Sequence, residues 1–165
     1  NVAATDSSFD IVSKVELPEL ENALNQARKE IDNRFDFKGT GSRIESTHET
    51  ITLNSADEFH LSGIIDVIET RLTRREVPLK AVSWGPVQPG PKGTVKREAK
   101  ILQGIDADKA REITKFIKGV DKKANVSVQK DQVRVSSKSK DSLQAVIKAV
   151  KEHDFGLPLQ FTNYR

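Results

Sequence analysis

The stretch Gly85-Pro86-Val87-Gln88-Pro89-Gly90-Pro91-Lys92-Gly93 decides how the chain reads, because a run so rich in proline and glycine cannot continue a helix or a central strand. The residues after this run repeat the pattern of those before it. Ile51, Leu53, Leu61, Ile64, Ile65 and Ile68 lie 82 positions before Val133, Val135, Leu143, Val146, Ile147 and Val150. Two of these pairs alternate as in a half-buried strand. The other four obey the i, i+3, i+4, i+7 spacing of an amphipathic helix, so one register serves both periods. The closing segments Val77-Pro78-Leu79 and Leu157-Pro158-Leu159 match at an offset of 80, after a two-residue indel. The chain is therefore expected to be an internal duplication, with repeats at residues 1–90 and 91–165.

Outward from the seam, each half gives the same element order. The first has a strand from Ser8 to Val15 with Phe9, Ile11 and Val15 on one side, and a helix from Pro18 to about Asn33. A connector, Arg34 to Gly41, leads to a hairpin of Arg43–Thr47 with Thr50–Asn54. A helix from Asp57 to Arg74 and a strand from Val77 to Trp84 complete it. The second half gives a strand Thr94–Leu102, a helix Asp106–Lys118, a hairpin of Asn125–Gln129 with Val133–Ser136, a helix Asp141–Glu152 and a strand Leu159–Tyr164. The expected fold class is α+β, two ferredoxin-like βαββαβ domains, each an antiparallel sheet with both helices on one face.

A chain of 165 residues, 36% hydrophobic and 31% charged, suffices for two small cores. The absence of cysteine excludes disulfides, thiolate metal sites and a cysteine nucleophile, and no apolar run approaches the roughly 20 residues of a membrane span. A cytoplasmic protein without membrane attachment is expected. Asn1-Val2-Ala3-Ala4-Thr5 has neither a basic start nor an apolar core, so no signal peptide is expected there. With no methionine anywhere, those five residues are expected to be an appended or trimmed end. The net charge of +3 divides unevenly: residues 1–90 carry 10 Lys+Arg against 15 Asp+Glu, and residues 91–165 carry 17 against 9. A basic second repeat facing an acidic first one suggests contact with a polyanion or a phosphate. Arg111, Lys115, Lys118 and Lys122, by contrast, sit opposite the apolar positions of their helix and read as a solvated face.

The ferredoxin-like pattern raises RNA binding, since RNA-recognition modules of this topology stack bases on aromatic residues of the central strands. Here the positions facing away from the helices are Thr50, Thr52, Asn54, Gln132, Arg134 and Ser136, none of which is a stacking ring. The aromatic and basic residues gather instead in Arg34, Phe35, Phe37 and Lys38, and in Phe161, Asn163, Tyr164 and Arg165. Cations there could hold phosphates while a ring stacks on a base and Asn163 reads a base edge; the rings could equally be core anchors. Asp36, alone among these residues, most simply pairs with Arg34 or Lys38. Lys92, Lys96 and Arg97 beside the seam add further positive charge, and Lys96 and Arg97 join the candidate nucleotide-binding residues. His48, His60 and His153 have no metal-ligand spacing and read as surface residues; Gly39-Thr40-Gly41 and Pro91-Lys92-Gly93-Thr94 lack the spacing of dinucleotide and phosphate loops. No catalytic residue, metal site or cofactor is expected.

Ser8-Phe9-Asp10-Ile11-Val12-Ser13, Asn33-Arg34-Phe35-Asp36-Phe37-Lys38-Gly39, Leu102-Gln103-Gly104-Ile105, Asp131-Gln132-Val133-Arg134-Val135-Ser136 and Gly156-Leu157-Pro158-Leu159-Gln160-Phe161-Thr162-Asn163-Tyr164-Arg165 resemble, in this order, the motifs of the small bacterial YajQ proteins. The resemblance implies two ferredoxin-like domains that exchange their first strands, placing strand 8–15 in the sheet of the second repeat and strand 94–102 in that of the first. It implies nucleotide binding, cyclic di-GMP being the ligand reported for some members and ATP/GTP or RNA suggested for others, and it brings no agreed catalytic residues; since no nucleophile and base can be named in the chain itself, turnover is not expected. The expected role is that of a monomeric effector acting through a protein partner such as a transcription regulator. The alternative is an RNA- or DNA-binding protein, with tRNA among its partners, using the basic second repeat.

Overall fold

A computed structural model of the chain describes residues 6–165, so the readings made for residues 1–5 lie outside the described residues. The fold is mixed, with two four-stranded antiparallel sheets and four helices divided between two compact bodies.

One body comprises residues 6–14 and Gln103–Arg165. Its strands are β1 (Ser7–Val12), β6 (Asn125–Gln129), β7 (Gln132–Ser137) and β8 (Gln160–Thr162), in the spatial order β6-β7-β1-β8. Helices α3 (Ala107–Val120) and α4 (Lys140–Glu152) pack together and against this sheet. Phe9 and Ile11 pair with Val135 and Val133, and all four are buried. Leu143, Val146, Ile147 and Val150 close the core from α4. The helices start where short polar side chains can take up a free amide: Asp106 accepts from the Lys109 amide at 2.8 Å, and Ser139 from that of Ser142 at 3.2 Å.

The other body is Val15–Leu102. Its sheet runs β2-β3-β5-β4, from β2 (Arg43–Ser46), β3 (Thr50–Ser55), β4 (Val82–Pro89) and β5 (Val95–Ile101). Helices α1 (Leu17–Asn33) and α2 (Glu58–Arg74) pack against one another. Pro18 lies in the first turn of α1, and Leu20, Ala23, Leu24, Ala27 and Ile31 form its buried stripe. Ile51 and Leu53 of β3 and Ile64 and Ile68 of α2 are buried, with Ile65 partly buried beside them. Both sets of residues related by the 82-position offset thus serve as core.

Two expectations change. Val15 lies beyond the end of β1, which stops at Val12, and is buried in the Val15–Leu102 core instead of beside Phe9 and Ile11. The strand expected over Val77–Trp84 starts only at Val82, after a 3-10 turn at Leu79–Ala81, and runs on through the Pro/Gly stretch to Pro89; Gly90 to Thr94 then turns it into β5. The turn is closed by the Gly90 amide on the Thr94 carbonyl at 2.8 Å and the Thr94 amide on the Pro91 carbonyl at 3.1 Å. Proline is tolerated because β4 is an edge strand, and its register slips between Trp84 and Val87, across Gly85 and Pro86.

The placement of β5 also redistributes charge. Lys92, Lys96, Arg97 and Lys100 all belong to Val15–Leu102, which carries 13 Lys+Arg against 14 Asp+Glu. The body containing β1 carries 14 against 10. The contrast of −5 and +8 counted along the sequence therefore shrinks to −1 and +4 between the folded bodies.

Candidate functional site

The ten candidate residues divide six and four between the two bodies. In Val15–Leu102, the connector after α1 makes one turn of 3-10 helix at Phe35–Phe37, which sends alternate rings to opposite environments. Phe37 is 5% exposed and packs in the core against Gly63, whereas Phe35 is 85% exposed. Arg34 forms a two-pronged bond to Asp36 (3.0 and 2.7 Å) and an ion pair with Glu30 at 3.3 Å. Those bonds lower the Asp36 carboxyl and raise the Arg34 guanidinium relative to their ordinary pKa values, the hydrogen bond between them being the largest cause for each. Arg34 is thus a tied residue whose charge is already matched. Lys38 stands 5.9 Å from the Phe35 ring centroid. On β5, Lys96 pairs with Glu98 at 3.2 Å, and Arg97 donates to the Gly85 carbonyl at 2.7 Å while lying 5.9 Å from the Trp84 ring.

The four residues of the other body form a more connected structure. After β8 the chain stays beside β1 but slips register. Thr162 pairs with Asp10, and Arg165, not residue 164, exchanges both backbone hydrogen bonds with Ser8, at 3.0 and 3.1 Å. One extra residue is thereby accommodated, and Asn163 takes a positive φ of 53°. The slip lets neighbouring side chains serve opposite faces of β1. Asn163 donates through Nδ2 to Asp10 Oδ2 at 2.8 Å, while the ring of Tyr164 lies 6.3 Å from that of Phe9. Phe161 also contacts Phe9, at 5.9 Å between centroids, and Lys151 lies 5.4 Å from the Phe161 ring.

Asp10 explains how this segment is held. It is 1% exposed, and besides Asn163 it accepts from Arg134 Nε at 2.8 Å and Nη2 at 3.3 Å. The hydrogen bond from Arg134, aided by Asn163, holds its carboxyl below the usual range although burial acts the other way. A buried carboxylate with three donors costs little to keep ionised, and it fixes β1, β7 and residue 163 together. The Asn163 amide, expected to read a base edge, is thus already bonded within the protein.

Tyr164 and Arg165, so placed, form one wall of a cavity of about 260 Å³. Phe9, Leu143 and Ile147 are its buried apolar floor, and Lys140 and Gln144 of α4 line the cavity as well. Tyr164 is 60% exposed, and neither Lys140 nor Arg165 has a salt bridge among the described residues. Arg165 also acts through its charge on the Asp10 carboxylate, at a range longer than a salt bridge. An apolar lining, an open aromatic face and two cations without a salt bridge suit a flat ring system that carries an anionic group.

Sequence reading reached Tyr164 and Arg165 but missed Asp10, Lys140 and Gln144. Lys140 is one of many lysines, and nothing local announces that it lines a cavity with residue 164. Among the described residues, no group of three or more His, Asp or Glu gathers as metal ligands would, and no helix is long and apolar enough to cross a membrane.

Comparison with known proteins bears on this arrangement. A protein of Desulfitobacterium hafniense called "Nucleotide-binding protein" is 52% identical over 162 residues, covering 98% of this chain and 99% of its own. Proteins of the same name from Bacillus cereus and Bacillus anthracis are 51% identical over 162 residues with the same coverage. Residues 7–165 match the family described as "Nucleotide-binding protein YajQ-like", so the span from Ser7 to Arg165 that builds the cavity lies wholly within the match, and the chain belongs to the YajQ-like family.

Proposed function

We propose that this chain binds a nucleotide without turning it over, at the wall formed by Tyr164 and Arg165. The observation that carries the reading is the exposed Tyr164 ring beside the exposed Arg165 cation in the lining of one cavity, in a chain whose relatives are named for nucleotide binding. Cyclic di-GMP and the purine triphosphates ATP and GTP are the ligands of choice, and a protein partner receives the bound form. The architecture belongs to the same proposal: two ferredoxin-like repeats that have exchanged their first strands. It is supported by β1 lying between β7 and β8, and β5 between β3 and β4.

Titration calorimetry against cyclic di-GMP, ATP, GTP and tRNA tests the reading. Saturable binding of a small nucleotide that weakens in Tyr164→Ala supports it. Binding of tRNA alone, with a log-affinity slope against log salt that scales with phosphate contacts, would favour a nucleic-acid surface on the more basic body.

A further inference from the structure

The nucleotide-binding reading leaves open which part of the ligand enters the cavity and which residues besides Tyr164 and Arg165 hold it. We propose that the cavity between α4 and residues 164–165 seats one purine base, with the ligand's phosphate at the mouth between Lys140 and Arg165. This rests on the nucleotide-binding reading, but makes claims that can fail separately.

The first ground is size. At about 260 Å³ the cavity falls just below the roughly 300 to 1,000 Å³ of sites that enclose whole drug-sized ligands. It therefore takes a single ring system, and a dinucleotide would keep its second base outside. The second ground is the order of chemistry with depth. Phe9, Leu143 and Ile147 are 1%, 5% and 7% exposed, so the floor offers apolar contact and no charge to match a phosphate. The cations lie outside that floor: Lys140 and Arg165 are exposed, and the exposed Tyr164 ring and Gln144 amide flank the floor beside them. A ligand entering phosphate first would bury its anion on an apolar floor with no cation to match it, which is strongly unfavourable. Entering base first, it places a π face on Tyr164 and leaves the phosphate between two cations.

The third ground is the polar group beside the base. Gln144 lies four residues after Lys140 and shares its face of α4. Its amide has a donor and an acceptor, which matches the paired donor and acceptor on a purine edge. The bicyclic purine also covers more of the apolar floor than a pyrimidine does, so the site prefers purines. Lys140 and Gln144 are thereby assigned as binding residues, the first for phosphate and the second for the base.

Titration calorimetry with GMP, guanosine and CMP separates these roles, using the full chain and the variants Lys140→Ala, Gln144→Ala and Tyr164→Ala. One GMP should bind per chain, more tightly than CMP. Lys140→Ala should weaken GMP by about tenfold, as expected for one lost charged contact, and leave guanosine unchanged. Tyr164→Ala should weaken GMP and guanosine together by about ten- to a hundredfold, and Gln144→Ala should weaken both to a smaller degree. Unchanged melting temperatures would show that each variant is folded. If GMP binds one to one and none of the three variants alters its affinity, the cavity assignment is overturned while nucleotide binding stands. If Lys140→Ala weakens guanosine as much as GMP, the base-inward orientation is overturned. If no nucleotide, cyclic di-GMP included, binds at all, both readings fall.

Discussion

The side-chain amide of Asn163 donates to the carboxylate of Asp10 at 2.8 Å, joining residues 153 positions apart at the point where the strand pairing slips by one. This bond decides where Tyr164 goes. With Asn163 turned toward Asp10, its neighbour is directed to the face of Phe9 and so to the cavity. Asn163→Ala should therefore weaken nucleotide binding although the ligand does not touch residue 163. Affinity and melting temperature measured together on this variant check the point: a loss of affinity larger than any loss of stability is expected.

Asp10 itself should govern behaviour in acid. Its carboxyl titrates below the ordinary value of 3.8 in the folded chain, so the unfolded chain binds the proton more readily. The stability contributed by Asp10 is then fully present above about pH 4 and is lost as pH falls through the lower, folded value. Asp10→Asn should lower stability at neutral pH by about 1–3 kcal/mol, because Arg134 is left without its carboxylate. The gap between the two proteins should narrow as pH drops below about 4, as tracked by denaturant melts in a pH series.

Phe35 and Phe37 should differ sharply despite their similar surroundings in sequence. Phe37→Ala removes a buried ring and should cost about 3–5 kcal/mol. Phe35→Ala should change stability by less than about 0.5 kcal/mol, since its ring is in solvent. Equilibrium unfolding in urea distinguishes them.

Gly104 combines a φ of +80° with crowding, because a Cβ there would lie 2.9 Å from Asp131 Oδ2. Its amide also bonds the Ser13 carbonyl at 2.7 Å. Gly104→Ala should destabilise by about 1–2 kcal/mol from the left-handed backbone alone. Gly119, with nothing near its Cβ position and a helical setting, should gain stability on the same substitution. Thermal melts of the pair check both signs.

Much of this was legible along the chain. Helices and strands showed in the spacing of Ile51, Leu53, Leu61 and Ile64 and of their counterparts 82 positions later, because burial against a sheet imposes those periods locally. The residues that failed to declare themselves owe their roles to pairings between distant segments. Val15 looked like a continuation of β1 until the chain left the strand at Val12. The basic residues of β5 looked like part of a positive second half until β5 paired with β3 and β4. Asp10 and Lys140 carry no local signature, since one is defined by a residue 153 positions away and the other by a wall that forms only when Arg165 meets Ser8. Phe35 and Phe37 were indistinguishable because a single turn of 3-10 helix, absent from any periodic pattern, sets which ring is buried.

The most direct test of nucleotide binding at the Tyr164 wall is the map of backbone amide shifts in a two-dimensional nuclear magnetic resonance titration with GMP. The amides of Ser7, Ser8, Phe9, Leu143, Gln144, Tyr164 and Arg165 should move together and saturate at one ligand per chain. Saturating shifts confined to Arg34–Lys38 and the strand carrying Lys96 and Arg97, with Tyr164 and Arg165 unmoved, would contradict binding at this wall.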